Sequence, residues 1–245
     1  MKHFGLIGFP LSHSFSPDYF ENKFAKNKIH ANYKSYPLEQ IDEFVKLLRS
    51  LTFSGINVTI PYKEQVMPFL DKLDPVASEI GAVNTIKFIN GISIGYNTDV
   101  YGFENSLLGL IETPDRISGA LILGTGGASK AVKYVLKKLK IKYKIVSRNS
   151  KNNISYSDLS NDIMNDHNLI INTTPLGMYP DILSKPAIPY HLLHENNFLY
   201  DLVYNPEKTI FLSEGIIHGA KVKNGHDMLI LQAERSWEIW NQPEI

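Results

Sequence analysis

Apolar and polar positions along the chain switch repeatedly between a period of two and a period near 3.6. Residues 3–8, "HFGLIG", form an apolar run that predicts a buried strand. The following "SPDYFENKFAKN" predicts a helix with Ser16 as N-cap and Pro17 in the first helical position. "ANYKSYPL" predicts a strand, and "LEQIDEFVKLLRSL", apolar every three and four residues, a helix. "GINVTI" then predicts a strand and "YKEQVMPFL" a short helix. Asn90-Gly91 separates two alternating segments and predicts a hairpin, after which "TDVYGFENSLLGL" resumes helical spacing.

From residue 119 the alternation starts again. The pattern gives strand "ALILG", helix "ASKAVKYVLKKL", strand "YKIVSR", a helix near "SDLSNDIM", strand "LIINTT" and, after a loop, strand "FLYDLVY". Such alternation predicts an α/β protein with a doubly wound sheet in its second part. The final "HDMLILQAERSWEIW" is helical with no strand after it, so it is expected to return to the N-terminal region. The predicted domains are 1–100 completed by 226–245, and 101–225.

Composition narrows the partners. A chain of 245 residues has room for two modest cores. Lys+Arg and Asp+Glu balance at 25 each, so no net field draws the chain to nucleic acid or an anionic membrane, and a small-molecule partner is expected. No apolar stretch approaches the roughly 20 residues of a membrane span, and "MKHFGLIGFPLSH" is too short and broken for a signal peptide; a cytoplasmic protein is expected. The absence of cysteine removes disulfides, thiolate-bound zinc and thiol catalysis. His191 and His194 in "HLLH" have no partner at ligand spacing, so no metal is expected.

The chemistry concentrates in a few stretches. In "LGTGGASKA", Gly124, Gly126 and Gly127 with Ala128 stand where a strand turns into a helix, which lets backbone N–H groups and the helix N-terminus face a pyrophosphate. Ser129 replaces the last glycine of the usual fingerprint. Where an NAD site places an acid after the second strand, this chain has Ser147-Arg148, with Lys144 and Lys151 nearby, which suits a 2′-phosphate and favours NADP. Lys63 falls in the first turn of the helix predicted after "GINVTI", where the macrodipole disfavours a cation by about 0.3–1 kcal/mol; proton transfer would give it a reason to be there, and an ordinary exposed lysine is the alternative. Asp99 precedes a helical run that Thr98 can cap equally well, which leaves its carboxylate open for another role. Ser14 and Ser16 are two apart, so in extended chain both hydroxyls point one way and can bind a carboxylate, with His13, just before Ser14, facing elsewhere.

Taken in order, "SHSFSP", "GINVTIPYK", "GAVNTI", "GYNTDVYGF", "GTGGAS", "NTTPLGM", "LVYNPEKT" and "GHDMLILQA" resemble the shikimate dehydrogenase family over residues 5 to about 235. The resemblance implies an N-terminal substrate domain, a Rossmann domain holding NADP and a closing helix that rejoins the first domain. It implies reversible reduction of 3-dehydroshikimate to shikimate, on the way to chorismate and the aromatic amino acids, by a monomer or homodimer. Lys63 and Asp99 match the family's catalytic pair. Ser14 and Ser16 match the substrate-carboxylate hydroxyls, Tyr204 the tyrosine beside them, and Thr59, Asn84 and Gln232 the ring-hydroxyl side. Gly124, Gly126, Gly127 and Ala128 match the pyrophosphate loop, Ser147 and Arg148 the 2′-phosphate segment, Thr173 a loop bordering the cofactor, and Gly225 and Met228 the nicotinamide side. The family often reads Asn-Arg-Thr where this chain has Ser147-Arg148-Asn149. The alternatives are a quinate/shikimate dehydrogenase of relaxed specificity, a folate-linked dehydrogenase, which leaves "SHSFSP" and "GHDMLILQA" unexplained, and a non-catalytic NADPH sensor, which would be marked by loss of Lys63 or Asp99; both are present.

Overall fold

The computed structural model describes residues 1–12, 14–148 and 153–243. Packing divides the chain into residues 1–98 with the segment from Ala233 onward, and residues 99–232. The first unit runs β1 (Lys2–Gly8), α1 (Phe15–Lys26), β2 (Ala31–Pro37), α2 (Glu43–Ser50), β3 (Gly55–Val58), β4 (Lys72–Leu73), α3 (Pro75–Ile80), β5 (Thr85–Ile89) and β6 (Ile92–Tyr96). Its six strands lie in the order β2-β1-β3-β5-β6-β4. β2, β1 and β3 are parallel, β3-β5-β6 antiparallel, and β4 parallel to β6. The β5–β6 turn needs two left-handed residues, and Asn90 and Gly91 supply them at φ 51° and 80°.

Side-chain alternation in β1 serves two cores. Ile7 packs with Phe44, Ile56, Val66 and Ile86 on one face, while Phe4 and Leu6 join Phe20, Phe24, Tyr33 and Trp240 on the other. Full burial of an aromatic or branched side chain contributes about 1.5–3 kcal/mol, so these clusters outweigh local propensity.

The second unit contains α4 (Asp99–Ile111), β7 (Ala120–Leu123), α5 (Gly127–Lys138), β8 (Tyr143–Val146), α6 (Asn161–Asp166), β9 (Leu169–Asn172), β10 (Phe198–Asp201), α7 (Ile210–Ile217), β11 (Lys221–Lys223) and the start of α8 (His226–Asn241). All five strands are parallel, in the order β11-β10-β9-β7-β8. β7, β9 and β10 are buried at every position, as strands covered on both faces must be. From Ala233 on, α8 belongs to the first unit, where Trp240 stacks on Phe4 with ring centroids 4.7 Å apart and donates its indole N–H to the Ile86 carbonyl at 2.9 Å. The expected return of the C-terminal helix is thus observed.

Three local expectations need correction. α1 starts at Phe15 with Ser14 before it, so Ser16 is helical and is not the cap; Pro17 sits inside the first turn, where its missing N–H has no intrahelical partner to lose. Ser14 is extended but Phe15 and Ser16 are helical, so the alternation assumed for Ser14 and Ser16 does not hold. The segment after β3 is no α-helix but a series of turns followed by a 3-10 turn at Met67–Phe69. The Val66 N–H bonds to the Tyr62 carbonyl at 2.9 Å, but the Lys63 carbonyl accepts the Val83 N–H at 2.7 Å and Pro68 has no N–H to give, so the i→i+4 ladder is not continued. The helix-dipole argument for Lys63 therefore falls.

Candidate active site

The order of the parallel sheet reverses at β7, which has β8 on one side and β9 on the other. Ligand crevices in such sheets open at the carboxyl ends of the strands at this switch point. Here the loops after β7, β8 and β9 line a cavity of about 400 Å³ through Gly124 to Gly126, Ser147 and Arg148, and Thr173 to Leu176, with Tyr156 and Lys185 completing the wall. Among the described residues two cations and no carboxylate line it, which suits an anionic ligand.

Gly124 takes φ +107°, and a Cβ there would stand 2.9 Å from Thr173 Oγ1. Only glycine fits. At Gly126 and Gly127 a Cβ would meet nothing within 4 Å, so the backbone faces open space that a pyrophosphate can enter. Gly127 opens α5, with Ala128 in its first turn. Ser129, in the last fingerprint position, is fully buried and donates its hydroxyl to the Gly126 carbonyl at 2.7 Å, closing the turn from inside. Thr173 ties the third loop to the first by donating Oγ1–H to the Leu123 carbonyl at 2.8 Å. These features fit a dinucleotide, and Arg148, exposed at the end of β8, fits an additional phosphate. Lys144 lies within β8 and does not line the cavity. His13, Asn149 and Lys151 lie outside the described residues.

Gly225 and Met228 stand between β11 and the first turn of α8, apart from the cavity-lining set. The Gly225 N–H donates to the Val203 carbonyl at 3.1 Å. Next to Val203, Tyr204 is half-buried, and burial raises its phenol above the usual range. Gln232 is half-buried on α8.

In the first unit the sheet itself carries polar chemistry. Tyr33 of β2 donates its hydroxyl to Asn57 Oδ1 of β3 at 2.8 Å. Asn57 Nδ2 donates to Thr85 Oγ1 and Ser236 Oγ at 3.2 and 3.0 Å, and to the Asn84 carbonyl at 3.1 Å. The Asn84 carboxamide in turn accepts the Thr98 N–H at 2.7 Å and donates to Thr98 Oγ1 at 3.0 Å. Asn57, Asn84, Thr85, Thr98 and Ser236 are all buried, so each unpaired group would cost about 1–3 kcal/mol and the network fixes their orientations. Burial raises the Tyr33 phenol, while a hydrogen bond from Ser16 acts against it. Ser14 lies just before α1 and makes no side-chain cap bond. Thr59 follows β3, its N–H donating to the Ile7 carbonyl at 2.9 Å, and Lys63 is half-buried in the turns beyond. Asp99, 8 % exposed, is the first residue of α4, leaving Thr98 before the helix.

Sequence reasoning misses Tyr156 and Lys185 in the cavity wall, and Tyr33, Asn57, Thr85 and Ser236 in the network. The network residues come together only through sheet register and the return of α8, with no local signal.

This fold and this crevice define an α/β protein of two units, one of them a Rossmann-type nucleotide-binding unit. Residues 6–86 match the family model for the shikimate dehydrogenase substrate binding domain. A curated shikimate dehydrogenase (NADP(+)) from Methanococcus vannielii is 39 % identical over 258 residues, spanning 96 % of this chain and 90 % of the relative. The crystal structure of shikimate dehydrogenase from Aquifex aeolicus is 33 % identical with a TM-score of 0.87, covering 100 % of this chain and 94 % of that one. The Thermus thermophilus enzyme in complex with NADP(H) and shikimate is 30 % identical with a TM-score of 0.86, covering 98 % of this chain and 94 % of that one. The chain belongs to the shikimate dehydrogenase family.

Proposed function

We propose that this chain is an NADP-dependent shikimate dehydrogenase that interconverts shikimate and 3-dehydroshikimate. The observation that carries the reading is the 39 % identity to a shikimate dehydrogenase (NADP(+)) over 96 % of the chain, which spans both units. The glycine-turned cavity with Arg148 at its rim supports the cofactor half.

In this reading residues 101–225 bind the cofactor, and residues 1–100 completed by 226–245 bind the substrate and carry the chemistry. Gly124, Gly126, Gly127 and Ala128 receive the pyrophosphate, Ser147 and Arg148 the 2′-phosphate, Thr173 borders the cofactor, and Gly225 and Met228 border the nicotinamide. When bound, NADP⁺ supplies the acceptor for the hydrogen and electron pair that leave the carbinol carbon. Lys63 handles the hydroxyl proton, with Asp99 as the second member of the catalytic pair. Ser14, Ser16 and Tyr204 hold the substrate carboxylate with neutral donors, and Thr59, Asn84 and Gln232 face the ring hydroxyls. Held substrate converts a bimolecular encounter into an oriented one. The enzyme works in the cytoplasm as a monomer or homodimer.

The test is nicotinamide absorbance in a mixture of purified protein, shikimate and NADP⁺. A rise that depends on shikimate is expected. Its absence at high protein concentration overturns the reading.

A further inference from the structure

β9 and β10 run side by side in register, and each ends in a polar residue with no exposed surface, Asn172 and Asp201. Asn172 Nδ2 donates to Asp201 Oδ1 at 2.9 Å and to the Leu176 carbonyl at 3.3 Å. On its other side Asn172 Oδ1 accepts the Thr174 N–H at 3.0 Å and the Thr174 hydroxyl at 2.6 Å. Thr174 and Leu176 line the cavity. Asp201 Oδ1 also accepts the Val203 N–H at 3.0 Å, and Oδ2 accepts the hydroxyl of Thr209, the N-cap of α7, at 2.6 Å. One buried carboxylate therefore organises the loop after β9, the chain leading to Tyr204 and the start of α7.

We propose that Asp201 is a positioning residue for the cofactor: through Asn172 its carboxylate holds the Thr174–Leu176 loop in the shape that receives the dinucleotide. This rests on the reading of the cavity as the NADP site. Among the described residues all three partners of the carboxylate are neutral donors, and no cation pairs with its buried charge. Burial pushes the Asp201 carboxyl up to about 6, against the hydrogen bonds from Thr209, Val203 and Asn172. Around it β9 carries no titratable side chain. α7 contributes Glu214, paired with Lys185; β11 contributes Lys221 and Lys223, paired with Glu112 and Asp227. α4 brings Asp99, Tyr101 and Glu104, and Tyr190, raised by burial and by Glu214 and Asp201, donates to the Pro186 carbonyl at 2.8 Å.

Above about pH 6 the ionised carboxylate grips Asn172 through a charge-assisted bond; below it the neutral acid accepts more weakly. NADP⁺ binding to the purified protein, followed by calorimetry from about pH 5.5 to about pH 8, tests this in the parent, Asp201→Asn, Asn172→Ala and the double variant. At the upper end Asp201→Asn is expected to bind on the order of tenfold more weakly, and the parent to converge on it as the pH falls through the titration. The 2′-phosphate of NADP⁺ titrates nearby, with a pKa of about 6, but equally for every variant, so the difference between profiles isolates Asp201. Asn172→Ala should show the same loss, and the double variant no further loss. Equal affinities at the upper end, parallel profiles or additive losses overturn the proposal. Should Asp201→Asn fail to fold, Asn172→Ala against the parent decides by the same convergence. A parent that binds no NADP⁺ overturns the underlying site reading instead.

Discussion

The two units put polar chemistry in opposite places. In the second, the strands "ALIL", "LIIN" and "FLYD" are buried throughout, and the binding features stand above them in loops, largely as backbone freed by glycine. In the first, β2, β3 and β5 carry Tyr33, Asn57 and Thr85 inside the sheet, tied to Ser236 from α8. A backbone-lined loop suits what is common to all dinucleotides, the pyrophosphate. A buried side-chain network instead fixes the directions of its own hydroxyls and carboxamides, and each member depends on the others. The comparison predicts that second-unit changes act on the cofactor, whereas first-unit changes alter chemistry or stability.

The largest effect is expected at Lys63. Lys63→Ala should lower kcat by roughly 10² to 10⁴ with little change in KM, the pattern of a lost proton-transfer group. Its distinctive place in the fold is a run of turns pinned by Val83. Steady-state rates with shikimate and NADP⁺ check this. A variant within a few-fold of the parent would remove Lys63 from the chemistry.

In the second unit, Arg148→Ala should lose a charge-assisted phosphate contact of about 1.5–3 kcal/mol, raising KM for NADP⁺ and leaving NAD⁺ nearly unaffected. Equal losses with both cofactors would mean that Arg148 shapes the loop and does not read the phosphate.

A first-unit counterpart is Asn57→Ala, which strips partners from Tyr33, Thr85 and Ser236 at once. A cost of about 1–3 kcal/mol in urea unfolding is expected, with NADP⁺ affinity unchanged in the folded variant. A fall in cofactor affinity without loss of stability would contradict the separation of roles between the units.

This asymmetry also decides what is legible in the sequence. The glycine turn, the Asn90-Gly91 hairpin and the apolar strands announce themselves locally, because each is a short-range consequence of backbone geometry or periodicity. The stretch "PYKEQVMPFL" misleads because its apolar spacing suits a helix, while Pro68 and the long-range bond from Val83 forbid one. α7, "IFLSEGII", goes unread because it is apolar nearly all round and shows no helical period. Tyr33 and Asn57 are 24 residues apart and Asn57 and Ser236 are 179 apart, so nothing short of the sheet register joins them. Asp201 looks like one more residue of a strand until Asn172 stands beside it.

The smallest expected effect concerns the two serines, which the sequence treats as equivalent and the structure separates. Ser14 precedes α1 and its hydroxyl makes no cap bond, whereas Ser16 is helical and bonds to the Tyr33 phenol. A hydroxyl committed to a buried tyrosine has less to give a ligand. Shikimate carries its carboxylate on a planar ring carbon, while quinate carries it on a tetrahedral carbon beside an extra hydroxyl, so donors set for the planar acid leave quinate partly unpaired. The parent should therefore favour shikimate by at least about tenfold in kcat/KM, equivalent to roughly 1.4 kcal/mol. Ser14→Ala should cost shikimate about 1 kcal/mol and narrow that preference, because the lost donor served the planar carboxylate. Ser16→Ala should cost shikimate less and show part of its effect in thermal stability, through Tyr33. Measuring kcat/KM for both acids in the parent and the two variants settles the order. Equal losses from both serines, or a larger loss from Ser16, would mean that the Tyr33 contact gives way to substrate and that the network opens at its edge when the site fills.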